Sequence, residues 1–283
     1  MQIAAIIINY KSRDAVAGCL DALAAGGEEL ERVVVDNDSR DGTAGMLEER
    51  YPGVRLIANT QNVGYARAVN QGIAATRAPF VLVLNPDCVM RPDAPRVLAD
   101  YLLSHPRVGI AGPQLLDGSG RIEYSGRSFP SPFTFLFNRY SLLTRLFPNN
   151  RWSRHYLLSD WDRTTEREVD WLSGACLMVR RDAIDEVGGM DEQFFMFNED
   201  VDWCRRMNLA GWSVSFVPAA VAVHEIGASK RRVSARVIWE RHTGMIHYFR
   251  KHHPMNPVLD ALASAFILSR AGVMLIANAL RPR

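Results

Sequence analysis

Five stretches of this 283-residue chain carry side chains able to do chemistry. In Leu84-Asn85-Pro86-Asp87-Cys88 an apolar run ends in a carboxylate. A carboxylate at a strand end can hold Mg or Mn, hard cations that prefer oxygen and bridge diphosphates. The same residues also serve as a plain Pro-Asp turn, and Asn85 stands where a second acid would strengthen the set. Phe194 to Arg206 leads aromatic residues into Glu199, Asp200 and Asp202. Acids at the mouth of a helix, after an apolar approach, suit a general base. They equally suit helix capping and dipole stabilisation. Val33 to Thr43 (VVVDNDSRDGT) ends a strand in Asp36, and Asp38 and Ser39 follow. That pattern fits base and ribose recognition, or a turn rich in Asx caps. Gln61 to Ile73 sets Asn62 and Gly64 before a helix, with Arg67 in its first turns. A helix N-terminus beside an arginine suits a phosphate; an ordinary capped helix with a solvated Arg67 reads as well. His224 closes the strand run Val221-Ala222-Val223-His224. A lone histidine is more often structural, but alongside Asp87 it is a candidate second metal ligand.

Positioning these groups needs a scaffold, and the first third supplies one. Ile3 to Ile8 is a continuous β-branched run, as in a strand buried on both faces. Ser12 stands where it can cap a helix with the stripe Ala15, Val16, Cys19, Leu20 and Leu23. Strands over Arg32 to Val35, Val54 to Ala58 and Phe80 to Leu84 alternate with helices, the third over Tyr65 to Thr76. The alternation predicts an α/β fold with a mostly parallel central sheet covered on both sides. Polar residues follow every strand: Asn9, Asp36, Asn59 with Asn62, and Asn85 with Asp87. Ligands bind at that edge of open α/β sheets. From Asp117 to Thr165 periodicity fades, and a long excursion is expected, with a short helix near Arg139 to Leu146. Strands return at Ala175 to Val179 and Val214 to His224, and past Ala235 the pattern is helical.

Bulk composition narrows the classes. Apolar residues make up 48% and charged residues 23%, which specifies a packed core and excludes disorder. A net charge of +2 gives no basis for nucleic-acid binding. Arginine and lysine gather after Lys230, for contact with an anionic surface or as a solvated helix face. The four cysteines have no metal spacing and read as buried thiols, which fits a reducing cytoplasm. The N-terminus reads as a strand and not a signal peptide. Val258 to Leu280 is long and apolar, but Asp260, Ser264, Ser269, Arg270 and Asn278 interrupt it. A helix docked at an interface is expected rather than a span.

Seven motifs in order, Asn9-Tyr10, VVVDNDSRDGT, NVGYARAVN, LNPD, WLSGACLMVRR, GGMDEQFFMFNEDVDWCRR and HxxGAS, together resemble family 2 glycosyltransferases. The branch they resemble is that of bacterial rhamnosyltransferases of cell-wall and O-antigen assembly. The resemblance runs from Ile3 to Ser229 and continues loosely to FRKHHP. It implies a GT-A-type nucleotide-sugar-binding domain over residues 1–229, and the basic segment and apolar tail beyond it suggest a C-terminal helical, membrane-surface-docking segment over 230–283. It also implies an inverting mechanism and a divalent metal, Mg or Mn. Carried onto this sequence, Asn9, Tyr10, Asp36, Asn62 and Arg67 would hold the nucleotide. Asp87 would take the metal, with Asn85 in the leading place and His224 as the later ligand. Asp200 would be the base, flanked by Glu199 and Asp202, and Trp171 to Gly174 and Ala175 would border the sugars. Asn-Pro-Asp in place of Asp-x-Asp departs from the family pattern.

The expected reaction moves a sugar, rhamnose favoured, from a dTDP- or UDP-linked donor to a glycan or lipid-linked acceptor. The expected location is the cytoplasmic face of the cell membrane, as a peripheral protein and a possible homo-oligomer. Trp152, Trp161, Trp171 and the aromatics from Phe129 to Phe137 read either as sugar platforms or as core. The rivals are a nucleotidyltransferase, which would need a glycine run where Asn9 to Asp14 has none, and a binding-only nucleotide-sugar protein. A dehydrogenase is excluded by the missing GxGxxG.

Overall fold

The computed structural model describes residues 2–27, 29–131, 134, 146–147, 150–224 and 234–280. The helix expected over residues 139–146 falls almost wholly outside them, as do residues 227–229 and most of the basic segment 230–236.

The first half is strand-helix alternation. β1 (Ile3–Asn9), β2 (Leu30–Asp36), β3 (Arg55–Ala58) and β4 (Phe80–Leu84) pair in parallel in the order β3-β2-β1-β4. Every residue of β1 and β4 is buried. Alternate side chains feed two cores, as a strand's two-residue period requires. Ile6, Ile8, Val33 and Val81 pack on one face; Ile3, Ile7, Val34 and Leu82 pack on the other. Helices α1 (Arg13–Ala25), α2 (Thr43–Arg50) and α4 (Ala94–Ser104) cover the second face, and α3 (Tyr65–Ala74) covers the first. Ser12 precedes α1 but does not cap it: its hydroxyl donates to the Tyr10 carbonyl.

Beyond β4 the sheet becomes mixed. β5 (Cys88–Met90) and β6 (Val108–Leu116) are followed by the small strands β7 (Gly126–Arg127), β8 (Arg167–Glu168) and β9 (Trp171–Leu172). α5 (Arg151–Leu157) lies within the excursion, β10 (Cys176–Arg180) runs antiparallel to β4 and β6, and α6 (Arg181–Val187) follows it. β11 (Ser213–His224) lies parallel to β6 and antiparallel to β5. The full order is β3-β2-β1-β4-β10-β6-β11-β5, and β7 and β9 form a separate ribbon. The sheet is thus parallel in its first half, from β3 to β4, with antiparallel strands beyond.

Three further helices complete the chain: α7 (Glu199–Leu209), α8 (Ala235–His252) and α9 (Pro257–Ala279). α9 packs on α8 through an Arg250–Asp260 ion pair of 2.8 Å and buries Ile267 and Ala271. The rest is open: Val258, Leu262, Phe266, Val273 and Ile276 are more than half exposed. By length and composition α9 could cross a membrane, yet it carries Asp260 and Arg270 as expected from sequence.

Candidate active site

Strand register brings the polar ends together. Asn9 lies opposite Asp36, Asp36 opposite Ala58, and Ile7 opposite Leu84, so β1 to β4 finish along one edge. Ile8, Tyr10, Asn62, Asn85 and Asp87 line a cleft of about 370 Å³ there. Asn37, Tyr65, Phe195 and Met196 join them, and Arg236, Val237 and Glu240 of α8 form the far wall. Gly64 sits at a φ of +92°, a region that glycine enters freely, and a Cβ there would meet the Phe195 carbonyl oxygen at 2.7 Å. That close approach lets the Tyr65 amide donate to Phe195 at 2.7 Å.

Two residues expected at the nucleotide, Asn9 and Asp36, are held by neighbouring side chains and do not line this cleft. Asn9 is 0% exposed, and its amide donates toward Asp36 (2.7 Å), Ser39 (2.9 Å) and Thr43 (3.0 Å). Asp36 is buried as well; its other oxygen accepts from the Ser39 amide at 3.1 Å. Asn9 and Asp36 therefore brace the turn behind the cleft, and Asn37 and Tyr10 face it. Arg67 also departs from expectation. It is 59% exposed and pairs with Glu192 at 3.5 Å, away from the residues lining the cleft. Asn62 does line it while accepting from the Gly64 amide at 3.0 Å.

At one end of the cleft, His224 Nε2 lies 3.5 Å from Asp87 Oδ1, and Nδ1 lies 3.1 Å from Glu123 Oε2. Burial opposes a charge on this imidazole, but the two carboxylates outweigh it and push the pKa up to about 10. Among the described residues no group of three His, Cys, Asp or Glu converges to hold a metal by itself. Asp87, with its side chain one-third exposed, lines the cleft, and His224 beside it completes a two-donor set. Oxygen plus imidazole fits a divalent cation that shares its shell with a diphosphate.

A second cavity, of about 330 Å³, is lined by the first turn of α7. Glu199 and Asp200 lie against Trp171, Tyr156, Tyr248 and Phe249, with Arg127 and Arg241 also lining it. Phe197 and Asn198, at φ of 70° and 69°, turn the chain sharply into α7. Such positions cost free energy and persist where the surroundings hold them. Asp200 accepts from the amides of Gly174 and Val201, both at 2.8 Å. Burial raises the Asp200 pKa, opposed by these two amides and by the Arg127 charge. Glu199, 6% exposed, is pushed well up by burial and then by the charge of Asp200, and its Oε2 has no partner. Hydrogen bonds to the charged form favour it, so Asp200 is the member of the pair that carries the charge. Tyr65 ties the two cavities together: its hydroxyl donates to the Gly174 carbonyl at 2.9 Å.

Asp202 is elsewhere. It is 0% exposed and bound to Arg206 (2.8 Å), Lys251 (2.8 Å) and His252 (2.7 Å). It fastens α8 to α7 and reaches neither cavity. Trp161 is core, edge-on to Phe216 at 4.8 Å, whereas Trp171 lines the second cavity and donates to the Ser128 carbonyl at 2.8 Å. Sequence reasoning missed Glu123, Arg127 and Arg241. Each lies on an irregular or late segment, and no local motif marked them.

All four cysteines are free and buried. The fold is similar to that of a mannosyltransferase from Pyrobaculum calidifontis solved in complex with GDP-Man and Mn2+. The TM-score is 0.59 at 18% identity, over 99% of this chain and 76% of that one. In sequence, 232 residues are 35% identical to the N-acetylglucosaminyl-diphospho-decaprenol L-rhamnosyltransferase of Mycobacterium tuberculosis (strain ATCC 25618 / H37Rv), covering 78% of this chain and 75% of that protein. The rhamnosyltransferase WbbL of Escherichia coli (strain K12) is 25% identical over 272 residues, 92% of this chain and 98% of that protein. The model of glycosyl transferase family 2 matches residues 4–188, which hold the parallel half-sheet, Asp87 and the Gly174 turn. With its GT-A fold, its paired cavities and that match, the chain belongs to glycosyl transferase family 2 and is a glycosyltransferase enzyme.

Proposed function

We propose that this enzyme transfers a sugar, rhamnose favoured, from a dTDP- or UDP-linked donor to a hydroxyl of a lipid-linked glycan, with inversion. The observation that carries the proposal is the placement of Asp200. It lies in a cavity walled by aromatic rings and arginines, and is linked through Gly174 and Tyr65 to the cleft that Asp87 lines beside His224. The carboxylate of Asp200 accepts the proton of the acceptor hydroxyl. The new bond forms between that oxygen and the anomeric carbon as the carbon–oxygen bond to the diphosphate breaks. The products are the glycoside, the nucleoside diphosphate and the proton held on Asp200. Asp87 and His224 would hold the divalent cation, which when bound neutralises charge developing on the leaving diphosphate.

The acceptor reading has its own support. The M. tuberculosis relative acts, by its name, on a sugar linked through a diphosphate to a polyprenol. Arg127 and Arg241 share one cavity with the Asp200 carboxylate, a charge pattern suited to an anionic acceptor whose sugar stacks on Trp171. The outward apolar face of α9 fits docking at a membrane surface, where such a lipid is presented.

The test is Asp200→Asn, with turnover and donor binding measured separately. Turnover should fall about 10²- to 10⁴-fold, with donor affinity kept. Full turnover in Asp200→Asn, together with loss in Glu199→Gln or Asp202→Asn, would overturn the assignment.

A further inference from the structure

Strand register places His224 between two neighbours. On one side β11 pairs with β5, His224 opposite Cys88, which brings the imidazole beside Asp87. On the other side β11 pairs with β6, Val223 opposite Leu116. Just past Leu116 the chain reverses: Gly120 donates to the Asp117 carbonyl, and Asp117 and Glu123 donate to the carbonyls of Arg121 and Leu115, all at 2.8 Å. Ile122 bridges back to Leu116, so Glu123 returns alongside the strand that flanks His224.

We propose that Glu123 is a positioning residue that orients His224 for the divalent cation, with the Nδ1–H donating to Glu123 so that Nε2, which gives up its proton when the cation binds, is held beside Asp87. This inference rests on the cation reading of the preceding section. Three observations support it. Nδ1 lies 3.1 Å from Glu123 Oε2, within hydrogen-bond range, while Nε2 lies 3.5 Å from Asp87 Oδ1, too long for a strong hydrogen bond. Glu123 Oε1 is buried and has no hydrogen-bond partner, so the local fold has not satisfied this carboxylate for its own sake. Third, no three such side chains converge as a complete ligand set among the described residues. That fits Glu123 acting behind the histidine rather than as a third ligand. An imidazole whose far nitrogen is held by a carboxylate is fixed in tautomer and ring angle, and is a more basic ligand.

The experiment compares the full chain with its Glu123→Ala and Glu123→Gln variants. Mn2+ binding is titrated by calorimetry and by the loss of the free Mn2+ spin-resonance signal, with UDP and dTDP as parallel probes. Melting without metal is recorded alongside. Glu123→Ala should bind Mn2+ about 10- to 100-fold more weakly. Nucleotide affinity without metal and metal-free melting should stay as in the wild type. Glu123→Gln, which keeps an acceptor for Nδ1–H, should recover part of the affinity and serves if the alanine variant folds poorly. Wild-type Mn2+ affinity in both variants would overturn the role of Glu123 alone. A wild type that takes up no Mn2+ with either nucleotide would overturn the cation reading, and this inference with it.

Discussion

The backbone amide of Gly174 donates a 2.8 Å hydrogen bond to Oδ2 of Asp200. The carbonyl of the same residue accepts from Tyr65, which lines the Asp87 cleft, so one peptide segment links the acid to that cleft. A Cβ at Gly174 would lie 3.3 Å from Asp200 Cβ and 3.4 Å from Oδ2. Gly174→Ala should therefore displace the carboxylate by a few tenths of an ångström. Turnover should drop by about 10-fold or more, since small misplacements of a reacting group are costly, while the donor KM changes little. Steady-state kinetics at saturating acceptor checks this.

The acidic limb of the pH–rate profile should lie above the ordinary carboxylate range near 4. Burial raises the Asp200 pKa, opposed by the amides of Gly174 and Val201. A base works when deprotonated, so a raised pKa means that activity is lost earlier as pH falls. The residual rate of Asp200→Asn should lack that limb. A wild-type limb centred below pH 4 would contradict the assignment.

Asp202 should matter for stability far more than for chemistry. Burial opposes its charge, but hydrogen bonds from Lys251, Arg206 and His252 hold its pKa down. Asp191, beside Lys251 and His247, is held at about 2 in the same way, against its own burial. Both carboxylates have folded pKa values below their unfolded ones. Their stabilisation is complete above about pH 4 and is lost as pH falls toward the folded values. The urea midpoint should fall between about pH 4 and pH 2, and Asp191→Asn should flatten that fall. Asp202→Ala should cost about 3 kcal/mol, the lower end for a broken buried pair, because Lys251 keeps some contact with water. Its turnover per folded molecule should stay well above that of Asp200→Asn.

Arg241→Ala should raise the KM for a polyprenyl-diphosphate sugar at least 10-fold, the loss expected for a charge-assisted contact of about 1.5 kcal/mol. A neutral alkyl glycoside of the same sugar should be affected little. Equal loss with both acceptors would show that Arg241 shapes the cavity without reading an anion.

Leu262 and Phe266 stand one helical turn apart on α9, 62% and 51% exposed. Replacing both by Glu should release the protein from anionic phosphatidylglycerol vesicles in a sedimentation assay and leave the melting temperature unchanged. Retention on vesicles by the double variant would place the membrane contact elsewhere.

Much of the scaffold was legible because it is local. The β-branched run of β1 and the repeating strand-helix spacing specify a parallel half-sheet, and the polar residue after each strand marks its functional edge. The antiparallel entry of β10 between β4 and β6 was not legible. The same apolar pattern serves a buried strand in either direction, and pairing is settled by partners 67 or more residues away.

The candidate site divides along the same line. Residue types and order marked Asp87, Asp200 and His224 as candidates, because cation ligands and a general base require such side chains at strand and helix ends, and the family resemblance implied their roles. Only the folded chain decided which of several similar acids does what. Asp202 and Asp36 have the same functional group as Asp200, yet two cations and an imidazole hold the first and a buried amide and a turn hold the second. Asp200 alone of the three lines an open cavity, with two backbone amides holding its carboxylate. A carboxylate's role is set by burial and by what it faces, and both depend on contacts between segments far apart in the chain.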